Sequence, residues 1–296
     1  MSIDDYLQQH YSGETAKAYG REIKIYLNNF KEAEKASYKE VVYYVGLLRS
    51  RYSKASAISR ILSSIKVYYD YLCHQNIRNE NPARAIQLKD RPGKDIQLQD
   101  LFTTEELAIL LHRKERYLHL DYRNKVLISL FIYQGLHPQE AQFLIVENID
   151  LKQGTIYIKA TPKNNSRTLQ LKPNQILLFH HYITETRPKL LAAKSPSFGG
   201  VGEAFLLVGI RGQPMSGGDI TKHIKRLAKT SPFGGSRGLN AQTIRQSVIS
   251  NLLKEGHDIS LVQAFAGHKY PSTTGKYKQD EVATLQAAVN KYHPLR

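Results

Sequence analysis

Apolar positions recur three and four residues apart over most of the first ninety positions, the spacing of α-helices with one buried face. Tyr19, Ile23, Tyr26, Leu27 and Phe30 form one stripe, and Ser12 stands where the N-cap of that helix is expected. Ser37 and Glu40 make a capping-box pattern ahead of Val41, Val42, Val45 and Leu48. Ile58, Ile61, Ile65, Tyr69 and Leu72 form a third stripe. Lys54, Arg60 and Lys66 lie off it, so this helix offers a basic face to a groove or simply to solvent. The helical pattern stops near Asn81-Pro82. Gln87 to Gln99 (QLKDRPGKDIQLQ) is polar and carries Arg91-Pro92-Gly93, which reads as an extended linker. The expected organisation is a helical domain over 1–86, a linker over 87–99 and a second domain over 100–296.

The second domain reads as mixed but mainly helical. Thr103 and Glu106 repeat the capping box. Helices are expected at about Asn124 to Tyr133 and Gln139 to Val146. GTIYIK and RTLQL alternate like strands around Asn164-Asn165, which predicts a small hairpin. Further helices are expected over Ile176 to Thr186 and Asp219 to Lys229. The latter has Ile220, Ile224 and Leu227 on one face and Lys222, Lys225, Arg226 and Lys229 on the other. The last helices start near Asn240, Asp258, Ser272 and Asp280.

Charge narrows the function. The 296 residues hold 42 Lys and Arg against 26 Asp and Glu, a net charge of +16. Such a balance fits a polyanion partner, most often nucleic acid. A soluble basic protein or an anionic membrane surface would carry the same signal. The single cysteine, Cys73, rules out an internal disulfide and reads as a small core residue. Neither a membrane-length apolar run nor a secretory leader is visible, so a cytoplasmic protein with no membrane association is expected. No phosphate-binding Gly loop, zinc spacing or nuclease-type carboxylate cluster is present, so no metal or cofactor is expected. The Gly-rich stretches at Gly199 and Phe233 read as loops.

The C-terminal third carries more specific chemistry. In LVQAFAGHKYPSTTGKY, Gly267-His268 is followed by Ser272-Thr273-Thr274 and then by Tyr277, nine residues after the His. AQTIRQSVISNLLKEG contains Arg245 on a helix flanked by Ile244, Val248 and Leu252. TPKNNSRTLQL carries Lys163 at the hairpin turn, and YQGLHPQEAQFLIVENID carries His137 and Glu140. Together these segments resemble the tyrosine recombinases, or phage-type integrases, nearest to their Xer-type branch. The tail KYHPLR and the stretch SRILSSIKVYYDYLCHQNIRNENPARAI are similar to the same family, so the likeness spans nearly the whole chain.

The resemblance implies a mainly α architecture: an N-terminal helical core-binding (SAM-like) domain and a mostly helical catalytic domain with a small β-hairpin. It implies DNA strand breakage and rejoining through a 3′-phosphotyrosine, with double-stranded DNA as partner. It further implies a homo-tetramer on DNA or a hetero-complex with a related recombinase. The segment Asp280 to Asn290, with Val282, Leu285 and Val289 at helical spacing, would be the piece exchanged between neighbours. Tyr277 would be the nucleophile, Arg245 and His268 phosphate-binding groups, and Lys163 the acid. The hairpin is one residue shorter than usual before Arg167.

Two positions depart from the family. His137 stands where its first active-site Arg belongs, and Gln242 where its His belongs, three residues before Arg245. Gln246 stands where a second His is common. A protonated His137 would restore part of the lost charge, whereas Gln242 only donates a hydrogen bond. Glu140 reads as a local cap or tether. Lys54, Arg60, Lys66, Lys222, Lys225 and Arg226 are the expected DNA-backbone contacts. Two other readings stay open: a recombinase-like DNA-binding protein with weakened or lost cleavage, and a helical nucleic-acid-binding protein unrelated to recombinases.

Overall fold

A computed structural model describes residues 1–88, 100–112, 115, 117–192, 204–230 and 237–277. The chain divides into two compact units, Met1–Lys94 and Asp95–Arg296. Residues 89–99 of the expected linker, Gly199 to Glu203, Phe233 to Ser236, and Asp280 to Asn290 lie outside the described residues.

The first unit is built from α1 (Ile3–His10), α2 (Gly13–Asn29), α3 (Tyr38–Arg51) and α4 (Ala55–His74). The stripes that predicted α2 and α4 point inward: Ile23, Tyr26, Ile61, Ile65, Tyr69 and Leu72 are buried. Two buried tyrosines need partners for their hydroxyls. Tyr69 donates to the Ala33 carbonyl at 2.8 Å, and its oxygen lies 2.7 Å from that of Tyr26. The Ser37–Glu40 capping box is present. Ser12 does occupy the N-cap of α2, but its hydroxyl meets the Thr15 hydroxyl rather than a backbone N–H.

Three expectations change here. Val42 lies on the outer face of α3, because the buried spacing there is Val41, Val45 and Leu48 with Tyr44. The helical pattern ends at His74 rather than near Asn81, where Asn76 takes φ 56°. Cys73 is only half-buried, at the edge of the core. α1, with a Ser2–Asp5 capping box, went unforeseen.

The second unit is organised around α6 (Leu118–Tyr133), whose Val126, Leu127, Leu130 and Phe131 are fully buried. Before it comes α5 (Thr104–Ile109), opened by the predicted Thr103–Glu106 capping box. After it comes α7 (Pro138–Gln142). This helix stops at Phe143 instead of running on to Val146, because Ile145 forms a β-bridge with Phe205. The predicted hairpin is β2 (Thr155–Ile158) with β3 (Arg167–Gln170), and β1 (Ile149–Asp150) adds an unforeseen antiparallel edge.

α8 (Pro173–His181) continues through a π-helical turn into α9 (Arg187–Ala192). α10 (Gly217–Thr230) buries Ile220, Ile224 and Leu227 as expected. The last described elements are α11 (Ala241–Lys254), α12 (Ile259–Ala266) and α13 (Pro271–Gly275). Asn240 and Asp258 cap the first two, while α13 is capped by Tyr270 rather than starting at Ser272. Among the described residues, no helix is long and apolar enough to cross a membrane.

Candidate active site

Four segments of the second unit meet at a cleft of about 430 Å³. They are the start of α7, the hairpin turn, the first turns of α11, and the α12–α13 corner with the residues after it. His137, Lys163, Gln242, Arg245, His268 and Tyr277 all line this cleft.

His137 is placed by a tight entry into α7. Gly135, at φ 57°, lets the chain leave α6, and Pro138 pre-sets the first helical turn. The His137 backbone N–H donates to Glu140 Oε2 at 2.8 Å. Its imidazole Nδ1 accepts from the Gln139 backbone N–H at 3.3 Å. A nitrogen that accepts an N–H carries no proton, so a neutral His137 keeps its proton on Nε2. Desolvation holds its pKa below the ordinary value; Glu140 pulls it up, but Arg245 and Lys163 push it down. The conditional case of a protonated His137 is thus disfavoured, and the neutral ring presents Nε2–H as a donor.

Glu140 ties the site together. Its carboxylate accepts from Arg167 Nη1 and Nη2, at 2.7 and 3.2 Å, and from Asn164 Nδ2 at 3.0 Å. Arg245 Nη1 lies 3.6 Å from its Oε2. Burial pushes the Glu140 pKa up, but the Arg167 hydrogen bonds and charge, the Arg245 charge and the His137 N–H outweigh it and hold the group ionised. The reading of Glu140 as a cap and tether holds, and its reach is wider than one turn of helix.

Arg245 is buried on α11. Nη1 donates to the Gly135 carbonyl and Nη2 to the Ala266 carbonyl, both at 2.6 Å. These bonds fix the plane of the guanidinium and occupy two of its five N–H groups. Desolvation lowers its pKa, opposed by Glu140, yet an arginine stays charged at any physiological pH.

Lys163 lies exposed in a turn closed by Thr161 N–H to the Asn164 carbonyl at 2.9 Å and by Asn164 N–H to Thr161 Oγ1 at 3.0 Å. That turn is docked onto the α12–α13 corner: Asn165 N–H donates to the Gly267 carbonyl at 2.8 Å, and Asn164 forms a β-bridge with His268.

Gly267 ends α12 with φ 70°. His268 follows, buried, with Nδ1 2.9 Å from Thr274 Oγ1. Desolvation, then the charges of Arg245 and Arg167, push its pKa down to about 4, so it is neutral at pH 7. The Tyr277 ring stacks near that of His268, with centroids 6.3 Å apart and planes at 16°. Its other side packs against Ile249, Val262 and Ala266. Burial raises the hydroxyl pKa, while Arg245 and a hydrogen bond from the Gln246 side chain lower it.

The corner predicts its own test. A Cβ on Gly267 would lie 2.6 Å from Arg167 Nη1 and 3.0 Å from the Asn165 carbonyl oxygen, at a φ that favours glycine. Gly267→Ala is thus expected to push Arg167 off Glu140. Breaking a buried ion pair costs about 3–5 kcal/mol. Gly256, at φ 86° with open space around it, is the control. Gly256→Ala is expected to cost about 1 kcal/mol. Urea unfolding of the two variants measures the gap, and equal losses would contradict the crowding at Gly267.

The expected DNA contacts are placed unevenly. Lys222, Lys225 and Arg226 are exposed on α10 and Lys54 at the start of α4. Arg60 pairs with Glu22 at 2.9 Å but keeps half its side chain exposed. Lys66 is turned inward, donating to the Ile86 carbonyl at 2.8 Å and the Arg84 carbonyl at 3.1 Å. The sequence reading missed a basic row on α2, where Lys17, Arg21 and Lys24 are exposed at helical spacing. It also missed Arg167, whose inward place on β3 the strand alternation allowed but whose carboxylate partner lies 27 residues away in sequence.

Residues 101–283 match the phage integrase family, and residues 4–76 match the phage integrase N-terminal SAM-like domain. The chain is similar to tyrosine recombinase XerD of Oceanobacillus iheyensis, 27% identical over 295 residues, covering 97% of this chain and 95% of the relative. Among solved structures it resembles the Tn1549 transposon integrase in complex with circular intermediate DNA. That likeness has a TM-score of 0.71 at 15% identity, over 98% of this chain and 99% of the other. It also resembles the XerH site-specific recombinase bound to palindromic difH substrate in a post-cleavage complex. There the TM-score is 0.68 at 20% identity, over 90% of this chain and 76% of the other.

Proposed function

The chain belongs to the phage integrase family, and from that membership we propose that it is an active site-specific tyrosine recombinase that cleaves and rejoins double-stranded DNA through Tyr277. The observation that carries this reading is the gathering of Tyr277, Arg245, His268 and Lys163 around one cleft from three separate segments. An unrelated helical nucleic-acid-binding protein has no reason to bring them together.

The roles implied by the family are compatible with the geometry. A phosphodiester in the cleft meets the N–H groups of Arg245 that the two carbonyls leave unused. His268, His137 Nε2 and Gln242 add neutral donors. Tyr277 Oη attacks phosphorus and gives up its proton to solvent water in the open cleft, the bond to the 5′ oxygen breaks, and Lys163 supplies the proton that the departing oxygen takes. Lys163 suits this because its turn is anchored at Asn164 and Asn165 while its own side chain stays free at the surface. The phosphotyrosine keeps the energy of the broken bond for religation. Cations on α2, α4 and α10 bind the DNA backbone, which makes affinity fall steeply with salt.

The test is a nicked suicide duplex that traps the intermediate. The protein is expected to form a complex that survives denaturation, and peptide mapping is expected to place the phosphate link on Tyr277. No adduct on a duplex that the protein binds tightly would instead favour a DNA-binding relative without cleavage.

The departed positions set the rate. A neutral His137 gives one hydrogen bond where an arginine gives two and a full charge. An arginine acting on transferring phosphoryl groups is worth ~10³-fold or more. His137→Arg is expected to raise single-turnover cleavage at least tenfold even after the loss of the Nδ1 cap on α7, which costs about 1 kcal/mol of stability. A cleavage rate that stays level or falls would mean that the chain has adapted to the neutral donor.

A further inference from the structure

The rim of the cleft holds an aromatic side chain that these roles leave unused. Tyr270 lines the cleft, yet it is 69% exposed. Its backbone is fixed. Tyr270 caps α13 in an extended conformation ahead of Pro271, and its carbonyl accepts from the Thr273 N–H at 3.0 Å. Two residues earlier, His268 is pinned by its bridge to the hairpin. Among the described residues, the Tyr270 ring and hydroxyl have no hydrogen-bond or stacking partner. The ring is thus held at the rim of the cleft by a well-anchored corner, with exposed Lys269 beside it.

A large ring left in water at the mouth of a phosphate cleft calls for an apolar surface to cover it. The cleft lining is mixed, with Arg245, Glu140 and His268 beside the Tyr277 ring, and it leaves the Tyr270 ring uncovered. A DNA strand supplies such a surface on each side of every phosphate, in the nucleoside. Aromatic side chains that pack on nucleosides add affinity with little dependence on sequence, because every base has a π-face. We propose that Tyr270 packs against the nucleoside flanking the scissile phosphate and so holds that phosphate in line with Tyr277. This rests on the cleft being the scissile-phosphate site.

The experiment is a residue-by-substrate cycle read in affinity, so that it needs no cleavage. All proteins carry Tyr277→Phe. The DNA is a duplex enriched from a random pool by gel shift with this protein, and its cleavage position is mapped with the unmodified chain. In companion duplexes a three-carbon spacer replaces the nucleoside on one side or the other of that phosphate. Tyr270→Ala is expected to raise Kd about tenfold on natural DNA. On one of the two spacer duplexes it is expected to raise Kd less than twofold. Tyr270→Phe is expected to match Tyr270 throughout.

Equal affinities of the Ala and Tyr proteins on natural DNA would overturn the proposal. So would an unchanged Tyr270→Ala penalty on both spacer duplexes. If the unmodified chain forms no adduct, the catalytic reading fails by itself. The spacers are then walked across the bound site, and the packing stands only if one position removes the penalty.

Discussion

Tyr277→Phe is expected to abolish the covalent DNA adduct, a loss of at least ~10⁴-fold in single-turnover cleavage. The substitution removes one oxygen atom and little else. The ring stays packed against Ile249, Val262 and Ala266 and stacked near His268. Among the described residues, the interaction lost is the hydrogen bond with Gln246. A single hydrogen bond contributes about 1 kcal/mol, so the fold is expected to stay intact. Gel-shift affinity should hold within about threefold, since phosphate contacts spread over many cations dominate binding.

Among the described residues that line the cleft, no other group is placed to substitute for the hydroxyl. Tyr270 also borders the cleft, but its ring is exposed at the rim rather than set beside Arg245. The measurement is a denaturing gel of both proteins on the same suicide duplex, with peptide mapping of any adduct. An adduct that persists in the variant, on Tyr270 or elsewhere, would overturn the assignment of the nucleophile.

The parts that were legible in the sequence are those governed by local rules. Capping boxes at Ser37 and Thr103, the α4 stripe and the β2–β3 hairpin depend on residues within a few positions of one another, and the structure shows each. The candidate site was legible for a different reason. His268, Tyr277 and Arg245 match the family's motifs at its spacing, and without that likeness one tyrosine among 19 would read as packing. What stayed hidden was the long-range pairing. Glu140 reads locally as the third residue of a capping box, and only the fold brings Arg167 and Arg245 to it. The partners of the α4 cations were hidden for the same reason: Glu22 on α2 pairs with Arg60, and the turn at Arg84–Ile86 accepts from Lys66. The protonation of His137 was also not legible. Its Nδ1 acts as a cap acceptor, and no feature of the sequence separates a capping histidine from a charged one.

Arg245→Lys is the more discriminating of the large losses, because it keeps the charge and removes the fork. Single-turnover cleavage is expected to fall by about 10³-fold. In the native site Nη1 and Nη2 each spend a hydrogen on a carbonyl, of Gly135 and of Ala266, and this leaves a planar set of donors facing the cleft. A lysine ammonium is a point donor with three N–H groups and no plane. If it serves the two buried carbonyls and Glu140, it has nothing fixed to offer a phosphate. If it turns to the phosphate, those carbonyls lose their partners in a buried site, each at about 1–3 kcal/mol. Either way the orientation of the scissile phosphate relative to Tyr277 is lost.

The retained positive charge should still compensate Glu140, so unfolding free energy is expected to drop by no more than about 3 kcal/mol. Duplex affinity is expected to stay within about tenfold. The split between a large rate loss and a small binding loss is the signature of an interaction that strengthens as charge builds on the phosphoryl oxygens. Cleavage by Arg245→Lys within tenfold of the parent would show that charge alone suffices there. The carbonyl anchors would then be structural only, and the cleft would be left without its main preorganised phosphate-binding group.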